Sequence, residues 1–208
     1  MSLLFYQEQV VAADINGDGK LDLITVGGIN AGMRVLLGKR DGTFTIEEHT
    51  GIDFRKGTFA PGALFLADFN GDHKPDIAFS VCDYEEMCET QVFLGNGDGT
   101  FKHSATLSYG GGAIVAGDFN ADGYQDIAVL TSTQVVVYLG EGNVQFQNPL
   151  VLAQTGQPVY LTVGDFYEDR IQSLAVLNAV FTAFGDDSAT CQHPDRGGSC
   201  RGRSERRL

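Results

Sequence analysis

Three short stretches of the chain place carboxylate and amide side chains at alternate positions. They read DINGDGKLD (14–22), DFNGDHKPD (68–76) and DFNADGYQD (118–126). Oxygen-bearing side chains occupy positions 1, 3, 5 and 9 of each stretch, and a short apolar run follows at once. In a tightly curled loop the odd-numbered side chains converge, and carboxylates that converge repel one another unless a cation neutralises them. The pattern therefore predicts three cation-binding loops.

The chemistry of the donors predicts calcium as the ion. Four side-chain oxygens and the backbone carbonyl of position 7 form an all-oxygen shell, which water would complete to six or seven ligands at about 2.3–2.6 Å. A flexible oxygen cage suits calcium better than magnesium, and the lack of Cys and His in the set argues against zinc. We expect about three Ca²⁺ sites with these ligands: Asp14, Asn16, Asp18, Lys20 and Asp22; Asp68, Asn70, Asp72, Lys74 and Asp76; Asp118, Asn120, Asp122, Tyr124 and Asp126.

The residue at position 6 distinguishes the three loops from one another. Glycine there (Gly19, Gly123) allows the left-handed backbone that turns the next carbonyl inward. His73 takes this place in the second loop, where we expect weaker binding. A fourth, degenerate copy begins at 165, with Tyr167 in place of Asn and Ser173 in place of the last Asp. We expect it to bind no ion.

Two other interpretations of the loops explain the pattern less well. Asp, Asn and Gly form turns without any metal, but three copies with every ligand position intact make that account insufficient. An EF-hand needs a glutamate at position 12 and a helix after it, whereas position 12 here is Thr25, Phe79 or Val129. The sequence therefore places each loop between two strands.

A second landmark recurs after each acidic loop: LLGKRDGTF (36–44), FLGNGDGTF (93–101) and YLGEGNVQF (138–146). Each unit is thus a strand, the loop, a second strand, a connection, a third strand ending in Leu-Gly, a turn, and a fourth strand opening on Phe. Four short strands in about 40–50 residues are typical of a β-propeller blade. We predict an all-β fold of about 3.5 antiparallel blades over 1–185, with repeats near 1–50, 51–107, 108–152 and 153–185, and a disordered or foreign tail at 186–208.

Phenylalanines and cysteines add two expectations. Cys82 and Cys88 flank DYEEM at the base of a hairpin, so they form either a disulfide, which would indicate an oxidising compartment, or two free thiols. Six phenylalanines recur with the repeat and are expected between the blades: Phe44, Phe101 and Phe146 at the fourth strands, and Phe69, Phe119 and Phe166 in the loops.

The remaining composition excludes several classes of function. The net charge is −13 and no basic stripe is present, which disfavours nucleic acid as a partner. No apolar stretch reaches the ~18–20 residues of a membrane span, and the first residues do not resemble a signal peptide. The four histidines are scattered, and no nucleophile elbow or phosphate loop occurs. We expect no enzymatic activity.

The loops and the Gly-rich turns together resemble FG-GAP/VCBS repeats, the blades of integrin-α-type β-propellers. The match rests on A-D-x-N-G-D-G-x-x-D-[LI] at 13–23, its counterparts at 67–77 and 117–127, and the LG-x-x-DGTF turns. The resemblance implies one calcium loop per intact blade, all near one rim. It also implies an extracellular or surface module that binds a protein or a glycan, or the accessory domain of a secreted hydrolase or lyase. Candidate glycan contacts are Tyr84, Tyr109 and Tyr124.

The number of blades departs from that family, whose propellers commonly close with about seven. An open arc would leave strand edges and apolar blade faces uncovered. Three explanations stay open: the chain is part of a longer gene product, several chains assemble into a ring, or the arc is complete as it stands.

Overall fold

The structure is a computed structural model that describes residues 9–26, 33–47, 50, 52, 58–59, 63–83, 85, 87–152, 157–166, 171–179 and 188–192. Every regular element in these ranges is a β-strand, so the predicted all-β class is confirmed. No helix in the same ranges is long and apolar enough to cross a membrane.

Within the described residues, sixteen strands form four antiparallel sheets, which we name blades 1 to 4. Blade 1 has the order β1-β2-β3-β4, blade 3 the order β10-β11-β12-β13, and blade 4 the order β14-β15-β16. In blade 2 the first strand is split, and β5 and β6 both pair with β7, which continues to β8 and β9. The strands are β1 (Gln9–Ala13), β2 (Asp22–Val26), β3 (Met33–Gly38), β4 (Phe44–Glu47), β5 (Thr58–Phe59), β6 (Leu64–Ala67), β7 (Asp76–Asp83), β8 (Cys88–Gly95), β9 (Phe101–Leu107), β10 (Ile114–Gly117), β11 (Asp126–Leu130), β12 (Val135–Tyr138), β13 (Leu150–Leu152), β14 (Gln157–Gly164), β15 (Ser173–Ala179) and β16 (Ser188–Gln192).

The fourth blade corrects the predicted end of the fold. Ser188–Gln192 forms β16, which pairs with β15, so the sheet continues past residue 185 into the stretch predicted to be a tail. β16 is thus the third strand of blade 4. The described residues exclude 180–187 and 193–208.

Three apolar clusters hold the blades together, one at each junction between successive sheets. Side chains alternate between the two faces of each second strand: Ile77 and Phe79 of β7 pack toward blade 1, whereas Ala78 packs toward blade 3. Strands covered on both faces are therefore nearly continuous apolar runs, as in the buried IAVL that follows Asp126 in β11. Burial of each such aliphatic or aromatic side chain stabilises the folded state by about 1.5–3 kcal/mol relative to leaving it exposed.

The recurrent phenylalanines follow this packing in the middle of the arc. Phe69, Phe101 and Phe119 are buried between blades, as predicted, and Phe146 is partly buried there. The prediction is wrong for Phe44 and Phe166, which are exposed. Both belong to the outward side of an end blade, where the described part of the chain places no neighbouring sheet.

Cys82 and Cys88 form a disulfide, in agreement with one of the two sequence alternatives. The two residues are direct partners across β7 and β8, the hairpin strands of blade 2. The bond therefore links β7 and β8 next to the turn that joins them, at the end of the hairpin away from the acidic loop.

Mass mapping of the purified protein under non-reducing conditions should recover one peptide pair linking Cys82 to Cys88. Because the closed loop is short, its loss in Cys82→Ser/Cys88→Ser should lower the free energy of unfolding by only about 2 kcal/mol. Complete alkylation of both thiols before reduction would contradict the assignment.

Candidate metal-binding loops and the cleft beside them

Each acidic loop joins the first and second strands of a blade: β1 to β2, β6 to β7 and β10 to β11. Position 6 is left-handed in all three, and His73 adopts this conformation with φ 65°. The predicted backbone is thus confirmed, including the histidine copy. Position 4 is left-handed as well, and these two reversals wind nine residues into a tight curl. The φ values at positions 4 and 6 are 72° and 79° (Gly17, Gly19), 79° and 65° (Gly71, His73), and 61° and 89° (Ala121, Gly123).

The side chains of positions 1, 3 and 5 turn into the curl and accept backbone amides. Asp14 accepts from the Asp18 amide at 3.1 Å and from the Gly19 amide at 2.8 Å. Asn16 accepts from the Asp18 amide at 3.1 Å, and Asp18 accepts from the Lys20 amide at 3.0 Å. The other two loops repeat the whole set. The structure therefore brings these three predicted ligands of each loop to one curl.

The arrangement supplies donors for a cation without forming a finished coordination shell. Within the described residues, no three His, Cys, Asp or Glu side chains are grouped so as to hold a metal ion. A carboxylate offers about four lone-pair sites, so those that accept one or two amides keep capacity for an ion. The donor chemistry fits calcium, and the ligand roles, including the carbonyls of position 7, stay predictions.

The lysines at position 7 of the first two loops have a role besides the backbone carbonyl predicted as a ligand. Their side chains pair with acids of the same loops. Lys20 Nζ lies 2.5 Å from Asp18 Oδ2, and Lys74 Nζ lies 3.6 Å from Asp72 Oδ2. The hydrogen bond from the Lys20 side chain is the main cause that lowers the pKa of Asp18. The third loop has Tyr124 at this position, so its carboxylates keep more uncompensated charge.

The aspartate at position 9 has a structural role that the sequence analysis missed. Asp22 is fully buried and accepts from the Ile15 amide in the loop and from the Gly38 amide at the end of β3. Asp76 and Asp126 do the same in blades 2 and 3. All six distances lie between 2.7 and 2.9 Å. We call this interaction the aspartate clamp, since it fastens the loop to the third strand.

The glycine of each Leu-Gly pair is the other half of the clamp. A Cβ on this residue would overlap the backbone carbonyl oxygen of loop position 8, so only glycine lets the strand approach the loop closely enough to donate its amide. The overlapping pairs are Gly38 with Leu21, Gly95 with Pro75, and Gly140 with Gln125. The recurrence of Leu-Gly was visible in the sequence and could have signalled this contact.

Burial of the clamp carboxylates raises the pKa of Asp76 and of Asp126 to about 6. Desolvation is the main cause, and the amides that each carboxylate accepts oppose it only in part. The negative charges at loop positions 1 and 5 raise the pKa further. The loops therefore hold more negative charge than their surroundings stabilise.

The fourth loop lacks the clamp. Ser173 replaces the aspartate, and its buried hydroxyl has no hydrogen-bond partner among the described residues. Its neighbour Gln172 instead reaches the third loop, where its side-chain oxygen accepts from the Asp118 amide at 3.0 Å. Tyr167 lies outside the described residues, and the absence of an ion from this loop stays a prediction.

A cleft of about 340 Å³ separates the second and third loops. Asp68 and Asn70 line one side, and Tyr124, Gln125 and Asn143 line the other. The Tyr124 ring is half exposed. Of the two described tyrosines predicted as glycan contacts, Tyr124 lines this cleft, whereas Tyr109 packs in the cluster between blades 2 and 3. Tyr84, the third, lies outside the described residues.

The turn that closes the cleft is strained. Asn143 and Val144 have φ values of 50° and 59°, a conformation that is rare for non-glycine residues and especially for a β-branched one. Val144 occupies the place that Gly42 and Gly99 hold in the other blades, and it is buried between blades 2 and 3. Packing thus holds the strained turn in place.

Removal of one clamp should destabilise the fold far more than removal of an exposed acid. Asp126→Ala leaves two buried amides without an acceptor, so the free energy of unfolding should fall by about 2–5 kcal/mol. The matched control is Glu141→Ala, an exposed acid of the same blade, which should change it by less than about 0.5 kcal/mol. Denaturant unfolding in chelator-containing buffer measures both. Equal stability of the two variants would refute the clamp.

Comparison with known proteins identifies the repeats. The family model of the FG-GAP-like repeat matches residues 14–79, 82–129 and 118–176. No curated protein matches the chain in sequence. Among solved structures the chain is similar to a lectin of Agrocybe aegerita, described for specific recognition of non-reducing terminal N-acetylglucosamine. The identity is 14% and the TM-score 0.42, over 94% of this chain and 65% of the lectin chain. Three matches that together cover most of the sequence show that the chain belongs to the FG-GAP-like repeat family.

Proposed function

We propose that this protein is a non-enzymatic, calcium-dependent binding module that acts outside the cell or at its surface. The observation that carries the proposal is the threefold recurrence of one loop geometry. Each loop has the same oxygen donors at positions 1, 3 and 5, the same two left-handed residues and the same clamp.

Bound calcium would neutralise the charge that these loops concentrate. The side chains of positions 1, 3 and 5 face the interior of the curl and are the residues that would hold the ion. The clamp fixes the two ends of the loop against the sheet, so a cation would order the segment between them. Loops 2 and 3 border the cleft, and their order would set its shape.

The disulfide supports an extracellular location, and the expected affinity is consistent with one. We expect a Kd of about 10⁻⁴–10⁻³ M, as in other extracellular modules, so millimolar calcium outside cells would fill the sites. The disulfide between Cys82 and Cys88 persists in oxidising compartments and is rare in the cytosol. A protein or a glycan is the proposed class of partner.

Calorimetric titration of the 208-residue chain with calcium should detect three sites. Asp18→Ala, Asp72→Ala and Asp122→Ala should each remove one, because each deletes a carboxylate at loop position 5. Glu85→Ala, which deletes an exposed acid of blade 2 outside the loops, should keep all three. If the wild-type protein shows neither binding heat nor a rise in melting temperature at millimolar calcium, the metal assignment is wrong.

The cleft favours a glycan as a second candidate for the partner. An acidic residue, three amide-bearing residues and the half-exposed Tyr124 line it, and residues of these types can bind hydroxyls and stack on a sugar ring. If calcium orders the flanking loops, glycan binding should also depend on calcium.

A glycan array probed in millimolar calcium tests this candidate. A glycan that binds should lose about tenfold or more in affinity with Tyr124→Ala, whereas Tyr124→Phe, which keeps the ring, should lose less. Binding that ignores both substitutions would exclude the cleft. An array without any calcium-dependent signal would leave protein partners as the proposed class.

A further inference from the structure

The two ends of the arc expose positions that are buried everywhere else in the described repeats. The first and third residues after loop position 9 face the preceding blade, as Ile77 and Phe79 do, and the second faces the following blade, as Ala78 does. Leu23 is the first such residue of blade 1; it is half-buried, and the described part of the chain places no blade before it. Leu177 faces the following side of blade 4 and is exposed.

The recurrent aromatic residues show the same contrast most clearly. Phe101, which opens the fourth strand of blade 2, faces blade 1 and is 2% exposed, whereas its counterpart Phe44 in blade 1 is 40% exposed. At loop position 2, Phe119 faces blade 4 and is fully buried, whereas Phe166 in blade 4 is 45% exposed. These two exposed rings mark the outward faces of the first and last blades.

The outward face of blade 1 is a continuous apolar row. Its members are direct cross-strand partners over all four strands: Ala12 with Leu23, Leu23 with Leu36, and Leu36 with Ile46. The equivalent row of blade 2 begins Leu66, Ile77, Phe93, and those side chains pack against blade 1. We call this the leading face.

The outward face of blade 4 carries exposed apolar side chains that could cover the row on blade 1. Tyr160 and Leu177 are cross-strand partners and both are exposed, and Phe166 lies on the same face. Leu177 corresponds to Leu130 of blade 3, which packs against blade 4. We call this the trailing face.

We propose that the leading face of one copy of this chain packs against the trailing face of a second copy. Every junction between blades in the described chain joins a trailing face to a leading face, so this contact would extend an existing type of interface. Pairing two identical faces would reproduce none of these junctions. Since propellers typically have 4–8 blades, two copies of four blades would supply eight and could close a head-to-tail ring.

Charge bears on the conditions in which the ring forms. Each copy carries a net charge of −13, so like charges oppose association at low ionic strength. Measurements at about 0.15 M salt shorten the Debye length to about 8 Å and reduce this repulsion.

Sedimentation equilibrium of the full chain tests the proposal. The wild-type protein should have twice the monomer mass of 22.4 kDa. Phe44→Glu and Phe166→Glu should each be monomeric, because each places a charge in one of the two faces. Met87→Glu adds the same charge at a residue that is 68% exposed in the hairpin of blade 2, away from both faces, and should stay dimeric.

An equimolar mixture of Phe44→Glu and Phe166→Glu provides the sharper test. Each variant keeps the face that the other has lost, so the mixture should form a dimer through one intact junction. A misfolded variant could not be rescued in this way. A monomeric wild-type protein, or a mixture no more associated than either variant alone, would overturn the proposal.

Discussion

The repeats of this protein depend on one buried interaction, the acceptance of two backbone amides by a single aspartate. In blade 1 the Asp22 carboxylate joins the Ile15 amide to the Gly38 amide, and blades 2 and 3 repeat the arrangement. A buried carboxylate without such partners would be costly, which explains why the contact is complete wherever the aspartate occurs. The acidic loop and the Leu-Gly landmark are thus two parts of one structure.

The same nine residues combine this structural role with oxygen donors whose chemistry suits a cation. The clamp fastens both ends of the curl that carries positions 1, 3 and 5. In the second and third loops, burial raises the pKa of the clamp carboxylates Asp76 and Asp126 to about 6. Two of the loops relieve part of their charge through a lysine, whereas the loop with Tyr124 does not. We propose that a divalent ion would neutralise the excess negative charge in all three loops. Metal binding would thereby order the second and third loops, which border the cleft between blades 2 and 3.

Local sequence patterns predicted the strands and the loops. The features that the sequence did not reveal depend on contacts between segments that are distant along the chain. The alternation of side chains along the sequence predicts the strands of blade 1. Glycine at position 6 predicts the left-handed backbone there. The clamp joins an aspartate to a glycine 14 to 19 positions further along the chain, and the pairing of β16 with β15 depends on a partner strand. Phe44 and Phe166 repeat a buried pattern at places where the neighbouring blade is missing from the described chain, so periodicity alone predicted their burial wrongly.

A crystal structure determined at high resolution from crystals grown in millimolar calcium tests the central claim most directly. Our account predicts one calcium ion in each of the first three loops, with oxygens of positions 1, 3 and 5 at about 2.3–2.6 Å, while Asp22, Asp76 and Asp126 keep the amides of Gly38, Gly95 and Gly140. Loops without bound ions, or clamp carboxylates turned away from those glycines, would contradict it.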